Sequence, residues 1–491
     1  MPRPLAALHW DNSFARLPET FHQRVVPTPI PDPYLVAFNP DAAALLELDP
    51  AAGTTAEFLS VMSGGGKTAA MDPVAAVYAG HQFGVWVPEL GDGRAILLGE
   101  VLTSKDARWE VQLKGAGMTR FSRMGDGRAV LRSAVREYLA SEAMAGLGIP
   151  TTRALSITGS TLPVYRERVE SAAVLVRLAP SHVRFGSFEL FASRGMRAEV
   201  EQLADYIITL HFPELLPLPA AERYATWYRE VVDRTARLMA QWTAVGFAHG
   251  VMNSDNMSIL GLTIDYGPYG WLDSYDPGFI CNHSDHAGRY AFDQQPRVGL
   301  WNCSRLGEAL HPLVNEDAAL AALESYRGTF EAAIDAMMRA KLGLRTIEAA
   351  DLPLQGELFG MLSQTGADYT RCFRALSHFD PSDPLSVEAL RDEVGDVPAL
   401  DLWLARYAGR LEAEGSITAE RVERMLAVNP KFVLRNWIAQ EAIEHADRGD
   451  FTRIETVRRV MAQPFAEHAA HERFAQAPPA GSAPIVVSCS S

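Results

Sequence analysis

The chain has 491 residues, 48% hydrophobic and 21% charged, which is material for large cores and for two or three packed units. Its 45 Lys and Arg against 60 Asp and Glu give a net charge of −15, which opposes non-specific attraction to nucleic-acid backbones and anionic lipid. Neither nucleic acid nor membrane is therefore expected as a partner. The opening MPRPLAALHWDNSF holds too short an apolar stretch for a secretory segment, and no later run reaches bilayer-spanning length. The four cysteines, Cys281, Cys303, Cys372 and Cys489, show neither zinc-site spacing nor the density of a disulfide scaffold. A cytoplasmic setting is expected, with an organelle matrix as the alternative.

Residues 1–90 are rich in Pro, Ala and Gly, and PTPIPDPY at 27–34 favours extended or turn structure. They are read as an N-terminal extension packed on the lobe that follows. SGGGKT at 63–68 imitates a phosphate-binding P-loop, but the first required glycine falls on Val61 and no strand precedes it, so a P-loop is excluded.

Residues 91–195 read as a small α+β lobe with strands AILLGEVL and WEVQLK, a helix over about 128–146 and a further strand, AAVLVRL, at 172–178. Alternation in WEVQLK sets Trp109, Val111 and Leu113 on one face and Glu110, Gln112 and Lys114 on the other. Along the helix, Leu131, Ala134, Val135, Tyr138 and Leu139 form the buried stripe. Glu137 lies off it, where it can meet Lys114 as the glutamate of a kinase meets its nucleotide lysine. Taken singly, each is more commonly a solvated surface residue. Gly91-Asp92-Gly93-Arg94 and Gly125-Asp126-Gly127-Arg128 each suit close approach of backbone N–H groups to phosphate, and each is equally a plain turn. Arg177 and Arg184 are candidate fixed charges for a polyphosphate.

Residues 196–463 read as a mostly helical larger lobe, marked by the stripe Val231, Thr235, Leu238, Trp242 and Val245 that stops at Gly246. HGVMNSDNMSILGLTIDYG follows at 249–267. His249 and Asn256 have the spacing of the kinase loop H-R-D-x-x-x-x-N, and Asp265-Tyr266-Gly267 stands where kinases carry Asp-Phe-Gly. MSIL and LTI flank Gly261, which predicts a short hairpin bringing the Asn256 amide oxygen and the Asp265 carboxylate together as hard ligands for magnesium. The aspartate that serves as base in kinases falls on Val251, which accepts no proton, and Asp255 is the nearest carboxylate that does. The competing reading is an ordinary turn-rich segment in which Asp255, Asn256 and Asp265 make local hydrogen bonds. Residues 464–491, rich in Ala, Pro, Gly and Ser, read as a flexible tail ending Cys-Ser-Ser. No internal repeat is found.

Assembled, these residues resemble the selenoprotein O family, protein adenylyltransferases with a kinase-like fold. The strings that carry the resemblance span nearly the whole chain: YAGHQFG at 78, LGDGRA at 90, LKGAG at 113, HGVMNSDNMSILGLTIDYGP at 249, DPGFICNHSD at 276, GRYAF at 288 and NPKFVLRNW at 429. The resemblance implies an α+β, two-lobed protein-kinase-like fold with an N-terminal extension and extra C-terminal helices. It implies ATP bound in reverse, so that AMP passes to Ser, Thr or Tyr hydroxyls of proteins and pyrophosphate leaves. Some members are similar in transferring UMP with manganese. The implied roles are Asp255 as proton acceptor and Asn256 and Asp265 on Mg2+ or Mn2+. Gly91, Gly93, Arg94, Lys114, Asp126, Gly127, Arg177, Arg184 and Asp265 would surround the nucleotide, with Glu137 steadying Lys114. Some members carry selenocysteine where this chain has Cys489, and the resemblance implies a redox-sensitive disulfide from Cys489 to Cys281, with two reduced thiols as the alternative. A conventional phosphotransferase stands as one alternative and, because Val251 replaces the kinase base, a catalytically silent, nucleotide-binding pseudokinase as another.

Overall fold

The computed structural model describes every residue except 1, 67, 480, 482–484 and 489–491. Its centre is a nine-stranded antiparallel sheet built from β1 (His9–Asp11), β2 (His22–Arg24), β3 (Tyr34–Phe38), β4 (Val74–Ala76), β5 (Ala95–Leu102), β6 (Arg108–Lys114), β7 (Ala129–Val130), β8 (Arg153–Tyr165) and β9 (Val169–Ala179). The order is β2-β4-β5-β6-β9-β8-β3, with β1 added to β5 and β7 to β9. Four of these strands come from the first ninety residues, so that segment is woven into the sheet.

The middle strands are buried on both faces. Ile96, Leu98, Val111, Leu113, Val174 and Val176 point into a core shared with Phe58 and Met62 of the N-terminal segment. On the opposite face of β6, Glu110 and Gln112 are buried as well, which the alternation alone does not foretell. Gln112 lies opposite Arg177 of β9, and Lys114 opposite Leu175. Helix α1 (Leu131–Gly146) covers this side with Leu131, Ala134, Val135, Tyr138 and Leu139, the stripe read from the sequence. Arg136 fastens α1 to distant parts of the chain. Its guanidinium donates to the Tyr269 carbonyl at 2.9 Å and to Asn436 Oδ1 at 3.3 Å, and lies 4.4 Å over the Tyr269 ring.

After β9 the chain is helical: α2 (Phe185–Ser193), α3 (Arg197–His211), α4 (Ala220–Ala244), α5 (Gln295–Leu310) and α6 (Glu316–Lys341), followed by shorter helices around a second core that includes Leu358, Leu362, Trp403 and Tyr407. In α4, Val231, Thr235, Leu238 and Trp242 are buried at helical spacing. The chain leaves α4 through Gly246 at φ +69°, a left-handed stop open to glycine. Beyond residue 463, read from the sequence as a tail, Ala469–Ala475 forms a 3-10 helix with Phe474 buried. Among the described residues no helix is long and apolar enough to cross a membrane.

The hairpin expected around Gly261 is not formed. Only the turn is present, with Gly261 N–H on the Ser258 carbonyl at 3.1 Å. The limb before it pairs with the connection between β9 and α2, Phe185 N to Met257 O at 2.9 Å and Ile259 N to Val183 O at 3.1 Å. The limb after it pairs with the connection between α1 and β8, Thr263 N to Pro150 O at 2.8 Å and Thr152 N to Thr263 O at 3.1 Å. Backbone groups need a partner but do not specify which, and here segments far away in sequence supply it. The result stitches the segment carrying Asn256 and Asp265 to the sheet.

Candidate nucleotide and metal site

A cleft of about 560 Å3 opens between the sheet and residues 251–268. Arg94, Lys114, Arg123, Arg128, Arg166, Arg177 and Arg184 line it against Asp92, Asp126, Asp255 and Asp265. This excess of cations runs against the sign of the whole chain and suits a bound polyanion. Gly91, Gly93, Gly127 and Asn256 line it too, so every residue expected to touch nucleotide or metal faces one cavity. Glu137 lies behind the wall.

β6 delivers Lys114 to the rim and α1 delivers Glu137 beneath it, and the two form a direct ion pair. Glu137 also accepts from Arg177 Nη1 at 3.1 Å. Burial pushes the Lys114 ammonium down from its ordinary value, and Glu137 pulls it back up. Arg177 is fixed from below by Gln112, with Nε on Oε1 at 3.0 Å, and reaches Asp265 Oδ1 at 2.5 Å. Arg184 holds the other Asp265 oxygen, donates to the Asp255 carbonyl at 2.7 Å and lies 4.5 Å over the Tyr78 ring. Burial would raise the Asp265 carboxyl, but Arg184, Arg177 and Lys114 outweigh it and hold the group well below the usual range. Asp265 sits at φ +55°, a left-handed conformation uncommon for a side chain with a Cβ.

The glycines serve the backbone. Gly127 is at φ +68°, and a Cβ there would lie 2.2 Å from the Gly117 carbonyl carbon. Gly91 is at φ +140° with Phe121 where a Cβ would go. Asp126 is bound by both Arg166 amines, at 2.8 and 2.9 Å, and caps Arg128 N at 2.9 Å.

Asp255 has a different setting. It is buried, no arginine touches its carboxylate, and Oδ1 has no hydrogen-bond partner among the described residues. Oδ2 accepts from Gln82 Nε2 at 3.2 Å. Burial pushes its carboxyl up to about 7, against the pull of Gln82 and Arg184. A carboxyl so placed takes and gives up protons near neutrality.

Asn256 donates Nδ2 to the Val251 carbonyl at 3.0 Å, which turns its amide oxygen the other way. That oxygen and the Asp265 carboxylate are hard donors of the kind Mg2+ or Mn2+ takes. Among the described residues no cluster of three or more His, Cys, Asp or Glu is placed to hold a metal by protein alone. Two protein ligands suit an ion that completes its shell with phosphate and water. His249 is a pillar: buried, with Nε2 2.9 Å from the Ile264 carbonyl and its ring stacked 5.2 Å from Trp242.

Sequence reasoning missed Gln82, Asn253, Tyr78, Arg123 and Arg166. Tyr78 and Gln82 lie in YAGHQFG and Asn253 in HGVMNSDN, strings whose spacing marks no role for these three. Arg123 and Arg166 sit in loops and carry no local signal. Cys281 lies behind the site, its sulfur 2.6 Å from where a Gly250 Cβ would be. Beside it the tail pairs with the chain, His283 N on the Val487 carbonyl at 2.8 Å. Cys489 lies outside the described residues.

The family model described as protein adenylyltransferase SelO matches residues 4–462. A "protein nucleotidyltransferase YdiU" of Myxococcus xanthus is 56% identical over 487 residues, 99% of each chain. Those of Thioalkalivibrio sulfidiphilus and Vibrio cholerae are 56% and 50% identical over 496 and 491 residues, again 99% of each chain. With both the family match and these relatives covering nearly its full length, the chain belongs to the SelO family of protein adenylyltransferases.

Proposed function

We propose that this protein transfers AMP from ATP to Ser, Thr or Tyr hydroxyls of other proteins in the cytoplasm, using a two-lobed, kinase-like fold. In this reading residues 91–195 with the 1–90 extension form the nucleotide lobe, 196–463 the larger lobe and 464–491 the tail. The hydroxyl oxygen attacks the α-phosphorus, the bond from that phosphorus to the α,β-bridging oxygen breaks, pyrophosphate leaves and Asp255 takes the hydroxyl proton. Lys114, Arg94, Arg177 and Arg184 offset charge on the phosphates, with Gly91, Gly93, Asp126 and Gly127 shaping the loops around them, so catalysis is chiefly positioning and electrostatics. Asn256 and Asp265 would hold Mg2+ or Mn2+, which when bound neutralises phosphate charge.

The observation that carries this reading is the placement of Asp255. Its carboxyl, pushed by burial up to about 7, lies in the same cleft as seven cations, while position 251 is aliphatic. The isolated bridge between Asn282 and Val487, next to Cys281, supports the disulfide to Cys489 as a tether. ATP labelled on either its α- or its γ-phosphate, incubated with the protein with and without reductant, tests the reaction. Label is expected in protein only from the α position. Label only from the γ position would establish a phosphotransferase, and ATP binding with no transfer would establish a pseudokinase.

A further inference from the structure

The short hairpin Gly80–Gln82 and Val85–Val87 stands outside the large sheet and beside residues 253–255. Its two-residue turn, Phe83 at φ +50° and Gly84 at φ +81°, is of the left-handed kind that matches strand twist. Phe83 is an uncommon residue for that conformation, and it is held there. Its N–H lies 3.1 Å from Asn253 Oδ1 and 2.9 Å from the Tyr290 hydroxyl, which itself donates to Asn253 Oδ1 at 2.7 Å. The inner strand is tied to the next residue of the same segment. His81 N donates to Ser254 Oγ at 2.8 Å, and the Ser254 hydroxyl donates to buried Glu189 of α2 at 2.5 Å. Glu189 also meets His81 Nδ1 at 3.1 Å. Gly80 lies so close that a Cβ there would be 2.6 Å from Asp255 Oδ1.

These ties fix the hairpin to Asn253 and Ser254, and so fix where Gln82 meets Asp255. Gly80 packs against Oδ1, which is buried and has no partner among the described residues, and Oδ2 is the oxygen that Gln82 holds. We infer that Gln82 is a positioning residue for the transfer: its side-chain amide, held by the pinned hairpin, sets the rotamer of the Asp255 carboxylate and aims the Oδ2 lone pair into the cleft. A neutral amide suits this task, since it donates to the carboxylate without competing for the proton. The inference rests on the reading of Asp255 as proton acceptor and adds to it Gln82, which lines the same cleft.

The test uses the full chain, saturating α-labelled ATP with self-labelling as readout, and α,β-methylene-ATP as the binding probe. Gln82→Leu removes the donor, and Gln82→Glu replaces it with an acceptor. Both are expected to lower the rate at saturating ATP at least tenfold while affinity for α,β-methylene-ATP and the melting temperature stay within twofold and about 2 °C of the parent. A merely structural residue would move all three together, and that outcome, or rates within twofold of the parent, overturns the inference. Absence of α-label in the parent protein would instead overturn the proton-acceptor reading and carry this inference down with it.

Discussion

Four carboxylates share the cleft, and their neighbours give them different chemistry. Asp126 and Asp265 are clasped by arginines and stay ionised, while Asp255 is buried against Gly80 with one oxygen unpaired. Asp255→Asn keeps the shape and the Gln82 contact but accepts no proton, so transfer is expected to fall by about 100-fold or more with ATP affinity nearly unchanged. As the acting group must be ionised, kcat/KM should climb with pH and level off with a midpoint at or below about 7. A divalent cation held by neighbouring Asn256, as proposed, would favour the carboxylate and move that midpoint down. A profile that falls across this range would remove Asp255 from the role. At this scale the spacing in the sequence was enough to bring Asn256, Asp265 and Val251 to one cleft. It was silent on Gln82, whose importance arises only when a hairpin 173 residues earlier folds against Asp255.

Among the elements, α1, β6 and α4 are readable because each is long enough for its period to show, and β5 because it opens on a continuous apolar run. The three-residue strands β1, β2 and β4 are too short to display alternation, so the woven N-terminal segment was read as an extension. The missing hairpin at Gly261 has the same root, since its limbs bond to segments distant in sequence. Gly127 offers a test at the level of the loop. Alanine there must accept φ +68° and displace the Gly117 peptide, so Gly127→Ala should distort the Asp126 turn and weaken α,β-methylene-ATP binding at least tenfold, as titration calorimetry would read it. Unchanged affinity would mean that this turn does not shape the nucleotide site.

For the molecule as a whole, stability carries a pH signature at the end of α6. Lys341 is 4% exposed, its ammonium lies 4.3 Å over the Phe373 ring, and it forms no ion pair among the described residues. Burial pushes it down to about 7. Between that value and the ordinary lysine value the unfolded chain binds a proton that the folded chain does not, so stability rises with pH over that window and is lowest below it. Urea denaturation should show roughly 2 kcal/mol more stability at pH 9 than at pH 7 from this residue, and Lys341→Met should abolish that difference. An unchanged slope in the variant would assign the pH dependence to other groups.

The clasp made by Arg136 bears on control. In protein kinases the helix that supplies the glutamate can move away from the lysine, and its return is a means of switching activity on. Here the residue next to Glu137 grips the Tyr269 carbonyl, the Tyr269 ring and Asn436 together, so α1 cannot withdraw without leaving a buried guanidinium unpaired. The Lys114–Glu137 pair is engaged in this structure, and the Arg136 contacts oppose its opening. Any control that acted by withdrawing α1 would have to find new partners for that guanidinium.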